Sequence, residues 1–298
     1  MTYDNTKKQF FLLSIFFVLT GAIFFNVNVS KNMLLAGLIV NASETIDQPV
    51  AQEKILEENV TTELNALSAI SVEIKQGEEK TVFEKNSSEK LPVASLTKLM
   101  TALIVLEKYN LYQEIPISKI AMEQEGEQGG LVEGETLSTS ALLYIMLIES
   151  SNRAAFALAE FIGPDYFIYL MNQKAVELGM TGTHFEDSSG LNPKSYSTTQ
   201  DLAKLSKHLF ENYPLFKKMI GYQAYDLYKN DGTLHHTLIN TNKLLGQYNI
   251  IGGKTGWTDE ARGCFMVIQK TNDDNYIIHI ILGADDRFLE MVKLIQQL

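Results

Sequence analysis

The chain has 298 residues, 45% of them hydrophobic, which is enough to bury a core in one large domain or two small ones. Its 25 basic and 36 acidic residues leave a formal charge of −11, a balance that argues against nucleic acid as the main partner. The single cysteine, Cys264, excludes an internal disulfide and a cysteine metal cluster.

The first predicted element is apolar. Lys7 and Lys8 precede a charge-free run from Phe10 to Val29. Twenty helical residues span roughly 30 Å, the thickness of a hydrocarbon core. Lysines ahead of the run favour a short cytoplasmic tail (residues 1–8), a transmembrane anchor (9–29) and an exported remainder. A cleaved signal peptide is the alternative, with small residues at Val40-Asn41-Ala42, but that site lies far beyond the apolar run. Either reading exports the domain. From Asn41 to Glu63 six acidic residues stand against one lysine, so residues 30–65 read as a tether rather than a core element.

Alternation begins near Ala69. Residues 71–75 and 81–85 alternate around a Gln76-Gly77 turn signal, which predicts a β-hairpin. Helical periodicity follows in "SLTKLMTALIVLEKY" from Ser95, "TSALLYIMLI" before Ser150, "RAAFALAEFI" after Asn152, "YFIYLMNQKAVELG" and "TTQDLAKLSKHLF". Ser197-x-x-Gln200 before the last of these has the form of a capping box. Two β-rich runs, "CFMVIQKT" and "NYIIHIILGA", then flank a polar turn, and a final helix starts near Arg287. A hairpin first, helices in the middle and strands at the end predict one α+β domain, residues 66–298, with an antiparallel sheet joining both ends of the sequence.

The Gly253-Lys254-Thr255 triplet invites a phosphate-loop reading. That loop requires a glycine at 248, where Tyr248 stands, and no helical period follows. Lys254 is instead expected on a strand. Three motifs stand in chain order: Ser95-Leu96-Thr97-Lys98, Ser150-Ser151-Asn152 and Lys254-Thr255-Gly256. As S-x-x-K, S-x-N and K-T-G they form the set of penicillin-binding proteins and class A β-lactamases. Each alone is weak, since Ser87-x-x-Lys90 also fits the first pattern without a helix behind it.

Ser95 differs by opening an apolar-periodic helix, on which Lys98 lies one turn away on the same face. A lysine held neutral by burial can take the serine proton, and free N–H groups at a helix start can stabilise an oxyanion. The alternative makes Ser95 an N-cap and Lys98 a surface cation. Ser150 and Asn152 fall between two helices, where capping competes with a proton relay by Ser150 and substrate-amide binding by Asn152. Lys254 and Thr255 on an edge strand could hold a carboxylate while the strand pairs with an extended peptide. The ordered set outweighs its members.

Over roughly residues 66 to 298 the chain resembles the serine D-alanyl-D-alanine carboxypeptidases, the low-molecular-mass penicillin-binding proteins. The resemblance is carried by "EKLPVASLTKLMTALIVLE", "IESSNRAAFALAE", "MNQKAVELGMTGTHFEDSSGLNPKSYSTTQDLAKL", "NTNKLLG" and "GGKTGWTDEARGCFMVI". It implies a β-lactamase/transpeptidase-like fold and an acyl-enzyme mechanism on the peptidoglycan stem peptide, with β-lactams as inhibitors and no metal or cofactor. Ser95 is then the nucleophile, Lys98 its base and Ser150 the relay to the departing D-alanine. Asn152 holds the substrate amide, Lys254 and Thr255 the terminal carboxylate, and the backbone N–H groups of Ser95 and Trp257 the oxyanion, with Gly256 in the same substrate-binding stretch. Arg287 stands where the family often carries an arginine and gives a second contact to the carboxylate.

Departures from the family pattern are Arg153 in place of an acidic residue and Trp257 at a position often polar. The family's usual β-domain after the catalytic domain has no counterpart, so membrane attachment is expected to rest on the N-terminal run. A class A β-lactamase needs a glutamate of an E-x-x-L-N motif, and Ser188 stands at that place ahead of Leu191-Asn192. A D,D-endopeptidase would share the whole catalytic set. A zinc peptidase is disfavoured, since no H-E-x-x-H exists and the adjacent His235 and His236 read as structural. A wall-binding protein without turnover is the non-enzymatic alternative.

Overall fold

Both ends of the described chain enter one sheet. The computed structural model describes residues 63–298 except 127 and 272–274. The apolar run at 9–29 and the linker to residue 62 lie outside the described residues. Among the described residues no single helix is long and apolar enough to cross a membrane.

Strands β1 (Ser68–Lys75) and β2 (Glu78–Lys85) form the expected hairpin. Gln76 and Gly77 both take positive φ, +53° and +84°, as a two-residue turn matched to strand twist requires. A short strand β3 (Leu91–Pro92) and a single 3-10 turn (Ala94–Leu96) lead into helix α1 (Thr97–Lys108). The helical block follows as β4 (Glu114–Pro116), α2 (Lys119–Met122), β5 (Thr136–Ser138), α3 (Thr139–Ile148), α4 (Asn152–Glu160) and α5 (Pro164–Glu177). Then come β6 (Tyr196–Ser197), α6 (Thr199–Asn212), α7 (Pro214–Ile220) and a hairpin of β7 (Ala224–Tyr228) and β8 (Leu234–Ile239). The chain closes with β9 (Ile250–Thr258), β10 (Arg262–Lys270), β11 (Tyr276–Ala284) and α8 (Arg287–Gln296).

The main sheet has the order β2-β1-β11-β10-β9 and is antiparallel at each pairing. Its middle strands are covered on both faces, which explains why β11 reads as an almost unbroken apolar run. Ile278, Ile280 and Leu282 face the helical block, while Ile281 and Ala284 face α8. On the α8 side one polar chain crosses three strands. Ser71 Oγ contacts His279 Nδ1 at 2.8 Å, and His279 Nε2 contacts Gln269 Oε1 at 2.9 Å. Burial pushes the His279 imidazole down to about 3, so it stays neutral and its two bonds are satisfied within the sheet.

Helices α1 and α3 are buried on nearly every side, as central helices must be. The consequence is that α1 carries whatever stands at its start into the interior. The predicted capping box is displaced by one residue. Thr198 caps α6 by accepting from the Asp201 backbone N–H at 3.0 Å. Ser197 is unavailable because it pairs with Leu91 in the β3–β6 ladder and its hydroxyl meets Thr183 Oγ1 at 2.7 Å. Hairpin β7–β8 has no counterpart among the expected elements, although Asp231-Gly232 marks its turn.

Among the described residues, burial is already present at Leu64, ahead of β1. Leu64 and Ala66 are buried against the α8 side of the sheet, and the Asn65 N–H donates to Glu290 Oε2 at 2.7 Å. Asn65 is thus fastened to the C-terminal helix before β1 starts. Truncating Leu64 removes most of a buried side chain, so Leu64→Ala is expected to lower unfolding free energy by about 2 kcal/mol in a urea titration.

Candidate active site

Residues from four parts of the chain meet where the 3-10 turn before α1 lies under β9. The approach is close: a Cβ on Gly256 would stand 2.9 Å from the Ser95 backbone nitrogen and 3.2 Å from Ala94 Cβ. Glycine at 256 therefore sets how near the edge strand comes to Ser95. Ala94, just before it, sits at φ +46°, and Ser150 sits at φ +66°. Non-glycine residues are held in that region only when their surroundings enforce it, and such positions cluster at functional sites.

Lys98 is not a surface cation. It is fully buried, and its Nζ lies 2.8 Å from Ser95 Oγ, 2.7 Å from Asn152 Oδ1 and 2.7 Å from the Ser189 carbonyl. Three partners match the three protons of the ammonium. The neutral amine is satisfied equally well, donating to Asn152 and Ser189 and accepting from the Ser95 hydroxyl. Only the direction of the Ser95 bond changes. Burial drives the amine down to about 7, opposed by the Asp187 carboxylate. Near neutrality both forms are populated, which suits a group that takes up and returns a proton.

Ser95 caps no helix, and its Oγ faces both Lys98 and the cleft. The cap of α4 belongs to Ser151, whose hydroxyl accepts from the Ala154 N–H at 3.2 Å. Ser150 and Asn152 are thereby free for other contacts. Asn152 bridges Lys98 to the Glu125 carbonyl, to which its amide donates at 2.8 Å. Ser150 Oγ accepts from Lys254 Nζ at 2.7 Å.

Lys254 lies on edge strand β9, as expected, but it too is buried and also donates to the Thr255 carbonyl. Burial first, then the charges of Lys98 and Arg287, hold its amine well below the usual lysine value. An incoming carboxylate opposes that shift and favours the ammonium. Thr255 Oγ1 meets Thr241 Oγ1 at 2.7 Å. Arg287 reaches the same cleft from the start of α8, where Gly263 leaves it room.

The cleft measures about 500 Å3 and is lined by Ser95, Ser150, Asn152, Thr255, Trp257 and Arg287 among others. All nine expected residues are assembled: seven line the cleft, while the Lys98 and Lys254 side chains lie just beneath it. A larger cavity of about 720 Å3 lies beside Gln76, Lys217 and Tyr276, but it holds no serine–lysine pair.

One part of the site was not legible: the turn "EDSSGLN". Asp187 accepts from the N–H groups of Gly190, Leu191 and Asn192, folding the turn so that Ser189 O reaches Lys98 and Ser188 O reaches Thr101 Oγ1. The Asp-Ser-Ser-Gly composition signals a turn but not its partner. Gly190, at φ +85°, is the contact point, since a Cβ there would lie 1.8 Å from Ala94 O.

A buried lysine bonded to a serine ahead of a central helix, beneath the edge of an antiparallel sheet, defines the transpeptidase-like class of active-serine folds. The Streptomyces K15 DD-transpeptidase structure superposes with a TM-score of 0.71 at 28% identity, over 78% of this chain and 96% of that one. The Peptidase S11 profile, D-alanyl-D-alanine carboxypeptidase, matches residues 53–286, and the chain belongs to that family. It is 35% identical over 236 residues to the D-alanyl-D-alanine carboxypeptidase DacF of Bacillus subtilis strain 168, covering 75% of this chain and 59% of that protein. It is 34% identical over 211 residues to the D-alanyl-D-alanine endopeptidase of Haemophilus influenzae, covering 67% of this chain and 70% of the relative.

A glycine comparison tests the turn. Gly190→Ala is expected to cost about 3 kcal/mol or more in unfolding free energy, because left-handed strain adds to a backbone clash. Gly232→Ala, at φ +82° with nothing within 4 Å, is expected to cost only about 1 kcal/mol in the same measurement.

Proposed function

We propose that this chain is a serine D-alanyl-D-alanine carboxypeptidase that trims peptidoglycan stem peptides outside the cytoplasmic membrane. The observation that carries the reading is the buried Lys98, 2.8 Å from Ser95 Oγ and shifted to about 7. Neutral Lys98 takes the Ser95 proton as Oγ attacks the carbonyl between the last two D-alanines. The oxyanion is held by the backbone N–H groups of Ser95 and Trp257. Ser150, between Lys254 and the cleft, relays the proton taken up by Lys98 to the departing amine, which returns Lys98 to its neutral form, and D-alanine leaves. Water then attacks the Ser95 ester, Lys98 again accepting a proton, and releases the shortened peptide.

Substrate placement follows from the same contacts. Asn152 orients the stem-peptide amide, and Lys254, Thr255 and Gly256 receive the terminal carboxylate with Arg287 beside them. The peptide lies extended along β9, whose outer edge is unpaired in the sheet order. A β-lactam acylates Ser95 by the same route. The apolar run at residues 9–29 anchors the chain, with the catalytic domain on the outer side of a bacterial membrane.

The endopeptidase activity named for the Haemophilus influenzae relative is the second reading, since cross-link cleavage uses the same groups. A β-lactamase is less well supported. Ser188 supplies no carboxylate for a deacylating water, and Asp187 is engaged by three backbone N–H groups.

A fluorescent penicillin is expected to label the full chain and to leave Ser95→Ala and Lys98→Ala unlabelled on a gel; equal labelling of Ser95→Ala removes the nucleophile. Mass spectrometry of muropeptide products separates the two readings: release of single alanines from monomers supports the first, and conversion of dimers to monomers supports the second. Deprotonation activates Lys98, so the acylation rate constant is expected to rise with pH through a midpoint near 7 and then level off. A profile flat from pH 5 to 9 in stopped-flow labelling contradicts that base.

A further inference from the structure

Ser150 is strained, and something must hold it. Its own turn is fastened to β8 and the segment after it at three points. The Thr241 N–H donates to the Ile148 carbonyl at 3.1 Å. Glu149 uses both carboxylate oxygens on β8: Oε1 accepts from the Ile239 N–H at 3.3 Å, and Oε2 lies 3.0 Å from His236 Nε2. Glu149 is the residue immediately before Ser150, so its side chain fixes the peptide plane that aims the Ser150 hydroxyl at Lys254.

His236 is itself braced. Its Nδ1 lies 2.5 Å from His235 Nδ1, and His235 Nε2 lies 3.2 Å from Glu135 Oε2, which Lys229 also contacts at 3.3 Å. His235, Glu135 and Glu149 are 5 to 16% exposed and His236 26%, while Lys229 is more open at 39%. Each ring turns Nε2 to a carboxylate, His235 to Glu135 and His236 to Glu149, and the two Nδ1 atoms face each other. Burial lowers the His235 imidazole below its ordinary value, against the opposing charge of Glu135. The adjacent histidines therefore do more than fill space.

We propose that His236, acting through Glu149, is a positioning residue for Ser150, holding its strained backbone so that Oγ meets Lys254. The inference rests on the proposed acylation of Ser95, because Ser150 matters only if a proton must reach a leaving group. A positioning defect slows the chemical step without weakening encounter with the ligand. A merely structural defect lowers stability and does not distinguish the two.

Stopped-flow labelling of the full chain with a fluorescent penicillin separates them. His236→Leu is expected to lower the acylation rate constant at least tenfold, with the pre-covalent dissociation constant within twofold of wild type. His236→Gln, which keeps a donor at the same reach, is expected to stay within threefold. If His236→Leu does not fold, Glu149→Gln supplies the second arm, because its amide nitrogen meets the His236 donor and the same slowing is expected. Wild-type acylation in the folded variants, or equal slowing in His236→Leu and His236→Gln, overturns the inference. An unlabelled wild type overturns the proposed reaction instead, and the inference with it.

Discussion

The site depends on one buried amine. Lys98 enters the interior because α1 is buried on almost every face, and a charge there is costly unless its partners satisfy it. Its three bonds draw together the turn before α1, the start of α4 and the Asp187 turn. Few residues could fill this role. A shorter or apolar side chain would leave Asn152 Oδ1 and Ser189 O without this donor, each costing on the order of 1 to 3 kcal/mol when buried and unpaired. The burial that makes those bonds necessary also lowers the amine toward neutrality. Structure and chemistry therefore share a single cause.

A second buried lysine complicates that cause and also improves it. Burial first, and then the charges of Lys98 and Arg287, disfavour the charged form of Lys254. An anion beside Lys254 would oppose that shift and favour its ammonium form. Strain at Ala94 and Ser150 belongs to the same economy of positions. Gly190 and Gly256 let backbone press against Ala94 and Ser95, and Glu149 fastens the turn that carries Ser150.

Much of this was legible in the sequence because it rests on local signals. The Gln76-Gly77 hairpin, the five long helices and the β-rich end each carry their own period or turn chemistry. The order of Ser95-x-x-Lys98, Ser150-x-Asn152 and Lys254-Thr255-Gly256 named seven residues of the site before any fold was drawn, and the family resemblance added Trp257 and Arg287. What escaped was pairing between distant segments. Ser197 looked like a cap until β3 claimed it, and Ser151, not Ser150 or Asn152, caps α4. The Asp187 turn and the Glu149–His236 contact carry no sequence period that names their partners. Hairpin β7–β8 had a turn signal, but only its packing near α3 gives it a role.

The account stands on a lysine that is neutral at the pH where serine must be activated. Selective 15N labelling of lysine side chains, with Lys98 assigned by its loss in Lys98→Arg, allows its amine to be titrated directly by NMR. A midpoint near 7 is the result the buried contacts predict. A midpoint near 10.5, the ordinary value for a solvated lysine, would contradict it.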